Sequence, residues 1–113
     1  MKLEHYAKIV NVISDLQDII GEDEAQIILD TMEQTYNKIE EYCKKNVDGF
    51  NKNGELVPKI KYEDGVLMQE IDLKINGKSI EDEKYAVELS KILEEAYNDI
   101  GWEIEQDENW VFN

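Results

Sequence analysis

Residues able to make and break bonds are scarce in this chain. Nucleophilic catalysis needs a Ser, Thr or Cys held beside a base, and the 113 residues supply one His, one Cys, three Ser and two Thr. Any such arrangement would have to be built around His5 with Cys43 or a scarce hydroxyl. His5 stands near the start of a helical pattern, where an exposed side chain is expected, and Cys43 falls on an apolar stripe as a small core residue. Zinc lacks enough His and Cys ligands for a usual site. The segment DGFNKNGEL has the look of a calcium loop. Aligning Gly54 with the glycine of that loop, however, puts Gly49 in the first position and Ile60 in the twelfth, where acids are required. Residues Asp48 to Gly54 therefore read as a turn. Any acidic chain offers carboxylate pairs for glycosidase-type acid and base work, but nothing singles one out here, and no Gly-rich phosphate loop occurs. The expectation is a protein that is not an enzyme, with no cofactor and no metal.

Charge is the chemistry this chain does carry. It has 27 Asp and Glu against 12 Lys, with no Arg, for a formal charge of −15. A field of that size steers a basic partner during diffusion and opposes compaction through self-repulsion, although many acidic proteins use such charge only to stay soluble. Without Arg the chain cannot clamp phosphates in bidentate fashion. Direct binding of nucleic acid is excluded on that ground, because its affinity comes from clustered Lys and Arg releasing counterions. An anionic membrane surface is disfavoured for the same reason.

The excess is unevenly placed. Residues 1–42 hold 10 acids and 3 Lys, a net of −7; residues 43–78 hold 6 acids and 7 Lys, a net of +1; residues 79–113 hold 11 acids and 2 Lys, a net of −9. Some acids have a Lys four residues away, as in Glu40 with Lys44, Glu41 with Lys45 and Lys84 with Glu88. Glu22 to Glu24 and Glu81 to Glu83 occupy helix N-terminal turns, where negative charge is stabilising. Asp30, Glu33, Glu94, Asp99, Glu103, Glu105, Asp107 and Glu108 have no such local account. The candidate partner-binding residues are Asp30, Glu33, Glu40, Glu41, Glu94, Glu95, Asp99, Glu103 and Trp110. Glu40 follows Glu33 by about 10 Å along a helix, comparable to about three nucleotide steps of about 3.4 Å, so a row of carboxylates could imitate phosphates. A solvated polar face is the commoner explanation of such a row.

These residues must be positioned by helices on a sheet. Leu3, Ala7, Val10, Ile13, Leu16 and Ile20 trace a first amphipathic helix over residues 3–20 that Gly21 stops. Asp23 with Gln26 resembles a capping box, and Ala25, Ile28, Leu29, Met32, Tyr36, Ile39 and Cys43 trace a second helix ending near Asn46. The short connection makes a helical hairpin. From Val47 the period shortens. Asn53-Gly54, Asp64-Gly65 and Asn76-Gly77 are turn signals between β-branched residues, and a two-residue turn at Asp64-Gly65 sets Lys59 opposite Glu70. Leu67, Ile71, Leu73 and Ile75 then share one face, with Met68, Glu70, Asp72 and Lys74 on the other. Pro58 assigns the first strand to an edge, or marks where pairing begins. Ser79 with Asp82 resembles a second capping box, and Tyr85, Ala86, Leu89, Ile92, Leu93, Ala96 and Ile100 trace a third helix stopped by Gly101. Alternation at Trp102 and Ile104 allows a short C-terminal strand. The fold class is α+β: an N-terminal helical hairpin, an antiparallel β-hairpin, a third helix and a short C-terminal strand, ααββαβ, in one domain with the helices on one sheet face.

The lone Cys and the lack of a secretory start or an 18-residue apolar run point to a soluble cytoplasmic protein. In size, charge and want of catalytic equipment the chain resembles the anti-restriction and anti-CRISPR proteins of phages and mobile elements, a likeness of character without a shared motif. That likeness implies an inhibitor whose acidic helices fill the nucleic-acid groove of a basic enzyme. Two other functions fit the same sequence. One is an immunity or antitoxin protein covering a toxin such as a nuclease, which gene neighbourhood would distinguish. The other is an intracellular adaptor that binds through its aromatic C-terminal tail, which deletion of Asn109 to Asn113 would test; Trp102 is expected in the core, and Trp110 and Phe112 fit either the core or the interface.

Overall fold

The computed structural model describes residues 1–102 and 104–105. In order, the chain forms α1 (Leu3–Ile20), α2 (Glu22–Asn46), α3 (Phe50–Asn53), β1 (Gly54–Glu63), β2 (Val66–Ile75), β3 (Lys78–Ser79), α4 (Glu83–Asp99) and β4 (Ile104–Glu105). The α+β class and the ααββαβ order follow, with two small additions: one helical turn, α3, where the sequence reads as a plain turn, and a two-residue strand, β3.

α1 and α2 are joined by Gly21 alone. Its φ of 94° is a backbone state that side chains resist. The Gly21 N–H donates to the Gln17 carbonyl at 2.9 Å, ending α1, and its own carbonyl accepts from the Ala25 N–H at 3.1 Å, starting α2. The Asp23–Gln26 box is therefore not the cap: α2 begins two residues earlier, and Glu22, Asp23 and Glu24 sit in its first turn facing the positive end of the helix dipole.

The buried face of α1 is His5, Ile9, Ile13 and Leu16, not the full stripe expected from Leu3. Ile13 and Leu16 belong to both readings and Ile20 is partly buried, but Leu3 is 83% exposed and Ala7 is exposed. This helix has two apolar rows at helical spacing, and periodicity alone cannot choose between them. Packing on the sheet chooses the row containing Ile9. His5 falls in that row, so it is 8% exposed rather than open to solvent, and its Nδ1 finds no hydrogen-bond partner among the described residues.

Asp64 and Gly65 both have positive φ (52° and 80°), as do Asn76 and Gly77 (54° and 76°). These are the left-handed two-residue turns whose twist matches antiparallel strands. The first sets the β1–β2 register, with Lys59 opposite Glu70 and Tyr62 opposite Leu67, and the second folds β3 back on the end of β2. β1 pairs along the whole length of β2 on one edge. β3 and β4 share the other edge, β3 antiparallel at one end and β4 parallel at the other. β1 is thus an edge strand, as Pro58 requires. Asn53-Gly54 is not a hairpin turn. Gly54 opens β1, and a Cβ there would lie 2.3 Å from the Phe50 ring, so the glycine admits Phe50 into the core.

One face of the hairpin, with Leu56, Ile60, Leu67, Ile71 and Leu73, is buried under the helices. α2 lies centrally, α1 packs against α2 and β1, and α4 packs against α2 and β4. Tyr97 of α4 is fully buried, and its hydroxyl donates to the Met32 sulfur of α2 at 3.5 Å. Asp82, rather than Ser79, caps α4, its carboxylate accepting from the Lys84 N–H at 3.0 Å.

Gln69 interrupts the apolar face of β2. It is completely buried, and neither its amide oxygen nor its nitrogen has a hydrogen-bond partner among the described residues. An unpaired buried polar group costs about 1–3 kcal/mol, whereas an apolar group of the same size does not. Gln69→Leu is therefore expected to stabilise the protein by about that amount in urea unfolding; a loss of stability would show that the amide is satisfied.

Candidate functional site

The nine candidate residues do not form one cluster. Asp30, Glu33, Glu40 and Glu41 belong to α2, and Glu94, Glu95 and Asp99 to α4. Glu103 and Trp110 lie outside the described residues. Because α1 covers the β1 side of α2 while α4 packs on the β4 side, the body of α2 stands between its α1-facing flank and the acids of α4, with helix axes about 8–10 Å apart.

Asp30, Glu33 and Glu40 occupy the α1 flank of α2. The Tyr6 hydroxyl of α1 lies beside Glu33, and that contact, with the nearby charges of Glu33 and Asp30, raises the Tyr6 pKa above its ordinary value. Asp30 accepts a hydrogen bond from the Gln26 amide one turn earlier, at 2.9 Å. Both neighbours are neutral. Neither cancels a carboxylate's charge, so the pair presents two negative charges about 4.5 Å apart along the axis. The row Glu22, Gln26, Asp30, Glu33, Asn37 contains no Lys.

Glu40 is different. Its carboxylate meets the Lys44 ammonium at 3.4 Å, and it lines a cleft of about 470 Å³ together with Lys2, Tyr36, Phe50, Asn51 and Glu55. Across that cleft Lys2 bridges to Glu55 at 2.6 Å. Its ionic groups are thus largely neutralised in pairs, and the acidic face proper stops short of it. The hydrogen bond from Lys2 holds the Glu55 carboxyl below its usual 4.5. A lowered folded value means stability that is present above the unfolded pKa and lost as pH falls through the folded one. Glu55→Gln is accordingly expected to lower stability at pH 7 and to leave it unchanged well below pH 4.5, where wild type and variant unfolding curves should coincide.

Glu41, Glu94, Glu95 and Asp99 are exposed. Glu95 continues a row on α4 that runs Lys84, Glu88, Lys91, Glu95 at three- and four-residue steps, which alternates in sign. Glu94 is turned about 100° from it. On α4, then, Lys84 and Lys91 share a row with Glu88 and Glu95, whereas no Lys interrupts the Asp30–Glu33 row, even though residues 79–113 hold the larger net excess. Another neutral donor serves a third carboxylate, since the Trp102 indole N–H donates to Glu24 at 3.1 Å while its ring is partly buried against the core.

The outer face of the hairpin carries both signs, with Lys59, Lys61 and Lys74 among Glu55, Glu70 and Asp72. Burial lowers the Lys59 pKa, opposed by Glu70. Cys43 is buried within α2, and desolvation pushes its thiol up to about 11, so it is not a nucleophile at neutral pH. Among the described residues, no three His, Cys, Asp or Glu side chains converge as metal ligands, and no helix is long and apolar enough to cross a membrane. The chain matches no known protein family, no curated protein and no solved structure.

Sequence reading grouped these acids by excess and by spacing along each helix. What it missed is Tyr6, whose hydroxyl marks which flank of α2 faces α1. Its position four residues before Val10 on a helix was visible, but not its partner.

Proposed function

We propose that the chain is a non-enzymatic, protein-binding inhibitor whose acidic helical surface enters the nucleic-acid groove of a basic enzyme, in the manner of anti-CRISPR and anti-restriction proteins. The single observation that supports this reading is the Asp30–Glu33 pair: two carboxylates whose close neighbours, Gln26 and Tyr6, are neutral, on a row without Lys. Phosphates along a strand are likewise uncompensated charges at fixed short steps, and a groove lined with Lys and Arg binds such rows whatever carries them.

The test is affinity capture from a host lysate at low and high salt, with the wild type and the Asp30→Asn, Glu33→Gln double variant immobilised side by side. The expected result is a nucleic-acid-binding enzyme held by wild type at low salt, released by salt or by added nucleic acid, and depleted on the variant. Equal capture by both proteins would contradict the assignment of this face.

A further inference from the structure

The acidic flank has an apolar neighbour. Leu3, Ala7 and Val10 of α1 follow one another at four- and three-residue steps, so they form a ridge on one side of the helix. Leu3 is 83% exposed, Ala7 is exposed and Val10 is half-exposed. Tyr6, on the inner side of this ridge, reaches Glu33. The ridge therefore runs antiparallel to, and directly beside, the row of Asp30 and Glu33 across the α1–α2 groove. Lys8, the one Lys of α1, is not part of the ridge and lies close enough to Lys59 of β1 to lower that group's pKa.

Resting on the proposed function, we infer that the occupant of this face is an amphipathic helix of the basic partner, with apolar side chains on Leu3, Ala7 and Val10 and Lys or Arg side chains reaching Asp30 and Glu33. A bare phosphate-binding groove would have no use for the apolar ridge, and a strip of apolar residues edged on one side by uncompensated carboxylates is the complement of a helix with an apolar row edged by cations. A second copy of this chain is a poor occupant, because it would bring its own Asp30 and Glu33 to the same surface and repel.

The probe is a fluorescent synthetic helix of about 18 residues, long enough to hold helical structure, made of Leu, Ala and Lys with Leu along one face, compared with a peptide of the same composition scrambled to abolish the face. The full chain is expected to bind the ordered peptide about tenfold more tightly than the scrambled one. Leu3→Ser with Val10→Ser should erase that preference while leaving the scrambled peptide's affinity unchanged, with a melting curve confirming that the variant is folded. Asp30→Asn with Glu33→Gln should weaken both peptides. Equal affinity for the two peptides on wild type, a preference that survives the Ser variant, or a dimer in sedimentation that Leu3→Ser dissociates would each overturn the inference. The two readings fail separately: loss of both peptides on the Asn/Gln variant without any preference for the ordered one keeps the acidic face and removes the ridge, whereas unchanged binding by that variant removes the acidic face itself.

Discussion

Adding salt is expected to move folding and binding in opposite directions. The folded chain concentrates a charge of −15, and self-repulsion of that size opposes the compact state. Raising ionic strength from about 0.01 M to about 0.1 M shortens the screening length from about 30 Å to about 10 Å, which is less than the width of the helical layer. Stability should rise by on the order of 1 kcal/mol, or about 5 °C in Tm for a domain of this size. Over the same range a basic partner should associate more slowly, because the field that steers it is screened by the same ions. Circular dichroism melts and association kinetics across one salt series measure both. A Tm that is flat or falls with salt would mean that the carboxylates are compensated locally, and the argument for an exposed anionic face would lose its footing.

Tyr97→Ala should be the most damaging single substitution outside the hairpin. Tyr97 is fully buried, and it links α4 to α2 through Met32. Truncating a buried aromatic removes its burial and leaves a cavity, at a cost of about 3–5 kcal/mol. Tyr97→Phe keeps the ring and loses only a hydrogen bond to a thioether, a weak acceptor, so it should cost under about 1 kcal/mol. Desolvation raises the Tyr97 pKa, so the hydroxyl stays neutral across the working range and charge plays no part in the difference. Denaturant unfolding of the two variants checks the contrast; similar losses would mean that the hydroxyl, rather than the packing, joins the helices. The candidate face belongs to α1 and α2, so Tyr97→Phe should bind as wild type does.

Much of the fold was legible because it rests on local rules. Asp64-Gly65 and Asn76-Gly77 adopt positive φ at both positions, a state that Asx-Gly pairs tolerate and most residues do not, and the first turn fixes the register of ten residue pairs. Gly21 and Gly101, also at positive φ, end α1 and α4 where the helical patterns stop. What was not legible depends on tertiary contacts. The choice between two apolar rows on α1 was made by β1 and α2, which is why His5 is inside and Leu3 outside. Asn53-Gly54 has the composition of a turn, but Phe50 needed the space of a missing Cβ, and one turn of helix precedes it.

The candidate site was legible as charge and not as arrangement. Composition located acids in the helices, while their compensation depends on which neighbour each meets. Glu40 meets Lys44, Glu33 meets Tyr6 and Asp30 meets Gln26. The Glu40–Lys44 pair follows from a four-residue step on one helix, whereas the Tyr6–Glu33 contact joins two helices and could only come from their packing. Separation of the α2 and α4 acids by the body of α2 also narrows the candidate face to the α1–α2 side.

The most direct measurement is a competition in which the captured basic enzyme, loaded with fluorescent nucleic acid, is titrated with this chain and followed by anisotropy. Wild type should displace the nucleic acid completely, and Asp30→Asn with Glu33→Gln should need about tenfold more protein to do so, the cost of two interfacial charges at modest solvent exposure. Simultaneous binding of chain and nucleic acid to the enzyme, or equal displacement by the two proteins, would contradict the account.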